Sequence, residues 1–177
     1  KNLFIDVDKP RIGKRLPKAL TKVQAQKILD VTLHESAREE LTRIRNHALY
    51  AVFLYTGLRK NEALNLIMSD VDLVNNRISV REGKGDKDRI VPVSETLHTI
   101  LNRYVLFRKH KQKSCEHFFT SAVKNSGLTE HGLKHVQNNL EGLVDFDFHI
   151  HKLRHTFATL MLDGGCNIYT LSKMLGH

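Results

Sequence analysis

Apolar residues recur every three or four positions along most of the chain, which is the spacing of amphipathic helices. The clearest run covers residues 39–55, where Leu41, Ile44, Ala48 and Val52 fall on one helical face. Gly57 follows this run and is suited to end the helix. The same spacing predicts further helices over residues 21–30, 60–68, 94–110, 129–143, 149–163 and 168–175.

The spacing changes between residues 71 and 93. Three short runs there predict strands, namely Val71–Val74, Arg77–Arg81 and Arg89–Val93. Asn75-Asn76 suits the first connecting turn, and the segment 83–86 (Gly-Lys-Gly-Asp) suits the second. We therefore predict an α+β fold that is mostly α with a small three-stranded antiparallel sheet.

The length of 177 residues fits one domain with a linker. We predict that residues 1–20 form a basic interdomain linker and that residues 21–177 form a catalytic domain that stops before its C-terminal nucleophile segment. Lys14, Arg15 and Lys18 of the linker are candidates for DNA phosphate contacts. The alternative interpretation is a solvated charged tail.

Charge narrows the class of partner. The 28 Lys and Arg exceed the 19 Asp and Glu, which gives a formal net charge of +9. This excess indicates a polyanionic partner, with nucleic acid as the first candidate. No apolar stretch approaches the length of a membrane span. The GxxxxGK[ST] and GxSxG patterns are absent, which argues against a P-loop NTPase and a serine α/β-hydrolase.

A metal site competes for some of the histidines. Cys115, His117, His149, His151 and His155 include enough ligand types for zinc. However, no Glu stands beside His151 as in the HExxH pattern. We predict no metal and no cofactor.

Four short features carry candidate chemistry. In the first, Arg59 opens a predicted helix and can bind an anion there, and Glu62 lies one turn on, where it can orient Arg59. In the second, Lys84 projects from a glycine-flanked hairpin tip and can reach a phosphate or donate a proton. Taken alone, a surface ion pair and a solvated charged turn are the more common explanations of these two features.

The third feature is a histidine and an arginine on one helical face. His151 and Arg154 are three residues apart, so that a group titrating near neutral pH stands beside a fixed phosphate-binding charge. The fourth feature is Leu175-Gly176-His177, which alone indicates little. Lys87 and Arg89, around the predicted hairpin, are further candidates for DNA contact.

Together these features resemble the catalytic domain of the tyrosine recombinases, the family of phage and transposon integrases and Xer-type chromosome-dimer recombinases. The resemblance covers residues 20–177. It rests on four stretches in the family's order: TGLRKNEALNL (56–66), GKGDKDRIVPV (83–93), HKLRHTFATLML (151–162) and LGH (175–177).

The resemblance implies a role for each matching residue. Arg59 and Arg154 are expected to bind the non-bridging oxygens of the scissile phosphate. Lys84 is expected to protonate the 5′-hydroxyl leaving group. His151 is implied as a general base or hydrogen-bond partner, and His177 as a phosphate hydrogen-bond donor.

The family's nucleophile is a Tyr about nine residues after the LGH histidine, and no residue of this chain occupies that position. We interpret Tyr50, Tyr55, Tyr104 and Tyr169 as structural. The resemblance thus implies a site-specific recombinase that forms a 3′-phosphotyrosyl intermediate without metal or ATP, with its nucleophile beyond this chain. We expect this fragment alone not to cleave DNA.

Two alternatives remain open: a DNA-binding relative without catalysis, and an enzyme of the type IB topoisomerase kind. The expected partner is double-stranded DNA, with the full-length enzyme forming a homotetramer on it and no membrane association. The expected location is the cytoplasm, in association with the nucleoid, for a protein encoded by a bacterium or a phage. The target sequence is not predicted, because base contacts depend on surface geometry.

Overall fold

The computed structural model describes residues 19–81 and 88–176. In this part of the chain, seven α-helices and a small three-stranded antiparallel sheet form the fold, which confirms the predicted fold class. The helices are α1 (Lys22–His34), α2 (Glu40–Thr56), α3 (Lys60–Asn65), α4 (Glu95–His110), α5 (Glu130–Glu141), α6 (Ile150–Asp163) and α7 (Ile168–Leu175). The strands are β1 (Val71–Asp72), β2 (Arg77–Val80) and β3 (Arg89–Pro92), and a 3₁₀ turn covers Met68–Asp70.

Helix α2 forms the centre of the domain. It packs against α1, α4 and α6, and the side chains from Ala48 to Phe53 are completely buried. A helix that is apolar on all sides is stable only when other elements cover every side of it. The end of α2 is therefore fixed in space, and the turn that follows it carries the first candidate motif.

The three strands form an antiparallel sheet in the order β1-β2-β3. Val80 pairs with Arg89, and Ile78 pairs with Val91. Ile78, Val80 and Val91 are buried, so one face of the sheet packs on the core. Asn76, in the turn between β1 and β2, has a positive φ of 52°, which fits the predicted Asn-Asn turn.

Several helices begin at the polar residue that the sequence indicates. Thr21 caps α1: its hydroxyl accepts a hydrogen bond from the Gln24 amide at 3.2 Å, and the Gln24 side chain accepts one from the Thr21 amide at 3.0 Å. Ser94 and Thr129 cap α4 and α5 in a similar way. These bonds satisfy backbone N–H groups that lack partners inside the helix.

Two helix ends differ from the predictions. Helix α1 continues past residue 30 to His34, because Val31 and Thr32 are buried against the core. Helix α3 ends at Asn65 instead of residue 68. There the chain becomes extended: the Leu66 carbonyl accepts a hydrogen bond from the Phe118 amide at 2.7 Å, and the Met68 amide donates to the Glu116 carbonyl at 3.0 Å. Pairing with a distant segment thus replaces the last helical turn.

The packed domain already includes Leu20, which is buried and whose amide donates to the Thr156 hydroxyl at 2.9 Å. The predicted linker otherwise lies mainly outside the described residues, together with its candidate DNA contacts Lys14, Arg15 and Lys18. Within the described residues, no helix combines the length and the apolar character needed to cross a membrane.

Candidate active site

Gly57 brings the turn after α2 against α6 and α7. Its φ is +64°, a conformation that other residues adopt only under strain. A Cβ atom here would lie 2.4 Å from a ring carbon of Phe157 and 2.9 Å from a methyl of Leu175. The absent side chain lets three helices meet at one point, two residues before Arg59.

Three of the predicted catalytic residues line one pocket at this meeting point. The pocket has a volume of about 220 Å³, and Arg59, His151 and Arg154 all contribute to its wall. Leu58, Lys60 and Ile150 complete the described lining. Residues that are up to 95 positions apart in the sequence therefore face one small cavity with two guanidinium groups.

Arg154 is held in place by backbone carbonyls from two other elements. Its Nη1 donates to the Gly57 carbonyl at 2.7 Å, and its Nη2 donates to the Leu175 carbonyl at 2.6 Å. The residue is only 7% exposed. A fixed positive charge in a water-poor environment attracts an anion more strongly than the same charge in bulk water.

Arg59 precedes α3 and is more open to solvent, with 42% of its side chain exposed. Its Nη1 donates to Glu62 Oε1 at 3.0 Å, and its Nη2 donates to the Gly176 carbonyl at 3.3 Å. The backbone amide of Arg59 donates to Glu62 Oε2 at 2.7 Å. The predicted contact between Glu62 and Arg59 is therefore present, and it aims the guanidinium along the pocket wall.

Glu62 also binds a second arginine. Arg89 donates from Nη1 to Glu62 Oε1 at 3.1 Å and from Nη2 to Glu62 Oε2 at 2.8 Å. Both side chains are less than one-tenth exposed. Burial alone would raise the pKa of the Glu62 carboxyl, but the hydrogen bonds and charges of Arg89 and Arg59 outweigh it, so this pKa lies below its ordinary value.

The chain matches the phage integrase family over residues 18–177. The chain belongs to the phage integrase family. The match covers nearly the whole chain and confirms the resemblance drawn from the four motifs.

Xer recombinases are among the relatives most similar to this chain. Tyrosine recombinase XerA of Saccharolobus solfataricus is 33% identical over 168 residues, which are 95% of this chain and 51% of that protein. A crystal structure of XerA recombinase is 30% identical, with a TM-score of 0.80 over 93% of this chain and 58% of that one.

A structure of the XerH site-specific recombinase bound to its difH substrate before cleavage is also similar. It is 30% identical, with a TM-score of 0.72, over 92% of this chain and 47% of that one. This chain spans about half the length of the curated relatives that it matches.

Arg89 is placed differently from the sequence prediction, which made it a DNA contact. Its guanidinium is buried, with Glu62 on one side and the Met174 carbonyl at 2.9 Å from Nε. With 8% of its side chain exposed, Arg89 offers little surface to a DNA phosphate. Sequence reasoning missed this contact because Glu62 and Arg89 are 27 residues apart, and only the tertiary fold brings them together.

His151 lies exposed at the rim, in the first turn of α6. It borders both the arginine-lined pocket and a neighbouring cavity of about 490 Å³, whose lining includes Lys60, Lys134 and His149. Lys60 forms an ion pair with Glu130 at 2.5 Å. In this phage integrase family member, basic groups thus continue from the pocket onto the adjoining surface.

Lys84 and His177 lie outside the described residues, as does Lys87. Their predicted roles stay predictions. The described residues contain no group of three or more His, Cys, Asp or Glu arranged to hold a metal ion.

The four tyrosines do not share one environment. Tyr50 and Tyr104 are completely buried, and burial raises the pKa of both hydroxyls. Tyr55 is half-buried. Tyr169 is 67% exposed on α7, with the Lys173 ammonium 4.5 Å from its ring centre. Tyr50 and Tyr104 therefore belong to the core, whereas Tyr169 lies on the surface. The interpretation of the four tyrosines as structural stays a prediction.

Proposed function

We propose that the protein containing this chain is a tyrosine-type site-specific DNA recombinase. In this proposal the chain supplies the part of the catalytic domain that binds the scissile phosphate. The observation that carries the proposal is the single pocket lined by Arg59, His151 and Arg154. Membership of the phage integrase family and similarity to XerA and XerH support it.

The pocket suits the chemistry of phosphate transfer. The charge on the phosphoryl oxygens grows in the transition state, and donors fixed beforehand stabilise that charge without reorganising. Arg154 is fixed by two carbonyls and Arg59 by Glu62. Two fixed guanidinium groups supply positive charge of the kind that metal ions provide in many other phosphoryl-transfer enzymes.

In the proposed reaction, the energy of the broken phosphodiester bond is kept in a covalent bond between DNA and protein. A tyrosine hydroxyl from outside this chain attacks the phosphorus, a 3′-phosphotyrosyl bond forms, and the bond to the 5′-oxygen breaks. His151 accepts the proton of the attacking hydroxyl as general base, or hydrogen-bonds to it while water accepts the proton. Lys84 protonates the departing 5′-oxygen. His177 donates a hydrogen bond to the phosphate. Attack by a different 5′-hydroxyl reverses the step, so neither ATP nor another cofactor is consumed.

Double-stranded DNA is the proposed partner. The net charge of +9 and the basic surface beside the pocket support this choice. We further propose that the full-length enzyme assembles as a tetramer on two DNA sites, and that it works in the cytoplasm at the host DNA.

The test is covalent trapping with the full-length protein. A nicked DNA duplex lets the cleaved strand diffuse away, so the phosphotyrosyl adduct accumulates and is seen on a denaturing gel. We expect the parent protein to form the adduct and Arg59→Ala to lose it while still binding DNA. Arg77→Ala is the matched control, because Arg77 lies on β2 and pairs with Asp72 at the surface.

Other results would contradict the proposal. DNA binding without any adduct in the parent protein would indicate a relative that only binds DNA. Relaxation of supercoiled plasmid without preference for a site would indicate a topoisomerase. Equal loss of binding and cleavage in Arg59→Ala would remove Arg59 from the catalytic role.

A further inference from the structure

Arg89 is the first residue of β3, and its guanidinium contacts two other elements. It binds both carboxylate oxygens of Glu62 on α3 and the carbonyl of Met174 on α7. Only 8% of its side chain is exposed. One side chain thus connects the sheet to α3, which borders the pocket, and to the end of α7.

The contact at Met174 is one of three similar contacts. Arg89 donates to the Met174 carbonyl at 2.9 Å, Arg154 donates to Leu175 at 2.6 Å, and Arg59 donates to Gly176 at 3.3 Å. Three consecutive carbonyls at the end of α7 therefore accept hydrogen bonds from three different arginines. These arginines set the position of the C-terminal end of α7.

Arg89 also stands at one end of the segment that contains Lys84. At the other end Arg81 follows β2, and its Nε and Nη2 bind Asp70 Oδ1 at 2.9 and 2.5 Å. Val80 and Arg89 are paired across the two strands. Ion pairs thus hold the chain on both sides of residues 82–88.

We propose that Arg89 is a positioning residue for DNA cleavage. It does not touch the phosphate, but it fixes Glu62, and through Glu62 also Arg59, relative to the C-terminal end of α7. The inference rests on the proposed recombinase function. It replaces the DNA contact predicted for Arg89 from the sequence.

The choice of arginine has a geometric reason. A guanidinium presents two parallel N–H groups to a carboxylate and keeps Nε–H for a third acceptor. Arg89 uses this arrangement, with Nη1 and Nη2 on Glu62 and Nε on Met174. A lysine ammonium carries the same charge without the planar fork, so it can restore the charge but not the alignment.

The electrostatics agree with this geometry. In the described part of the chain, the charges acting on Glu62 come from Arg89 on β3 and Arg59 beside α3. Burial opposes ionisation of Glu62, and the hydrogen bonds from Arg89 are the strongest contribution against burial. Loss of Arg89 therefore raises the pKa of Glu62, and the ion pair between Glu62 and Arg59 is then weakened at low pH.

The first test measures binding and chemistry separately in the full-length protein. Fluorescence anisotropy gives the Kd for duplex DNA, and single-turnover adduct formation at saturating DNA gives the cleavage rate. We expect Arg89→Met to slow cleavage by about 100-fold, with a Kd close to that of the parent protein. Arg89→Lys should recover part of the rate, and the control Arg77→Met should cleave at the parent rate.

A pH profile separates positioning from general damage to the fold. In Arg89→Met the acid limb of the cleavage rate should move to higher pH, because Glu62 then protonates at a higher pH. The shift should disappear when Glu62→Gln is combined with Arg89→Met. Thermal melting of each variant monitors folding. If Arg89→Met does not fold, the cleavage rate, the Kd and the pH profile are measured with Arg89→Lys instead.

Two outcomes would overturn the proposal while the parent protein cleaves DNA. One is an unchanged cleavage rate and pH profile in the Arg89 variants. The other is a loss of DNA affinity equal to the loss of cleavage, which would make Arg89 a DNA contact. A parent protein that forms no adduct would instead refute the recombinase function, and the positioning role would be refuted with it.

Discussion

Two regions of the domain bury arginines in nearly the same way, yet only one of them has the features of an active site. Near the start of α2, Arg45 donates to the Asn46 side chain and to the Thr120 carbonyl. At the pocket, Arg154 donates to the Gly57 and Leu175 carbonyls. Their exposures are 4% and 7%, so burial does not distinguish them.

The difference lies in what surrounds each guanidinium. Arg45 is enclosed between α2 and the segment around Thr120, and burial lowers its pKa. Arg154 lines a cavity that it shares with Arg59 and His151. A buried arginine is thus a structural clamp where protein surrounds it and a candidate anion site where a cavity adjoins it.

The largest expected effect follows from removing the pocket charge. Arg154→Ala in the full-length protein should lower the single-turnover cleavage rate by about 10²–10³-fold, since in the proposed reaction it deletes a fixed donor to the transition state. DNA binding should remain measurable, because the other basic groups still meet the phosphates. If affinity and cleavage fall by the same factor, Arg154 serves DNA binding and not the chemical step. The distinction drawn between Arg154 and Arg45 would then be wrong.

An intermediate effect is expected at the other arginine. Arg45→Met should lower the free energy of unfolding by about 1–3 kcal/mol, because the Asn46 amide oxygen and the Thr120 carbonyl lose buried partners. Urea denaturation measures this change. Cleavage per folded molecule should stay at the parent level, and a slower rate in fully folded protein would show that Arg45 contributes to the chemistry.

The smallest effect concerns the neighbour of the structural arginine. The Tyr104 hydroxyl donates to the Phe118 carbonyl at 2.9 Å and accepts from the Thr120 amide at 3.0 Å. Tyr104→Phe removes both hydrogen bonds and should cost about 1–2 kcal/mol of unfolding free energy, without slowing cleavage. Tyr169→Phe on exposed α7 is the matched control and should leave the thermal midpoint unchanged.

Local patterns in the sequence predicted most elements and their starts, because caps such as Thr21 and Ser94 act within a few residues. They also predicted the contact of Glu62 with Arg59, one helical turn away. The end of α3 was missed, since it depends on pairing of Leu66 with Phe118. The burial of Arg89 was missed for the same reason: its partners lie on α3 and α7.

The carbonyls of Met174, Leu175 and Gly176 have a consequence for the charge balance of the site. The C-terminal end of a helix carries roughly half a negative elementary charge from its aligned peptide dipoles. Helix α7 directs this end at the guanidinium groups of Arg59, Arg89 and Arg154. Together with Glu62, the macrodipole of α7 offsets the mutual repulsion of three cations, so the domain can keep them assembled before any phosphate arrives.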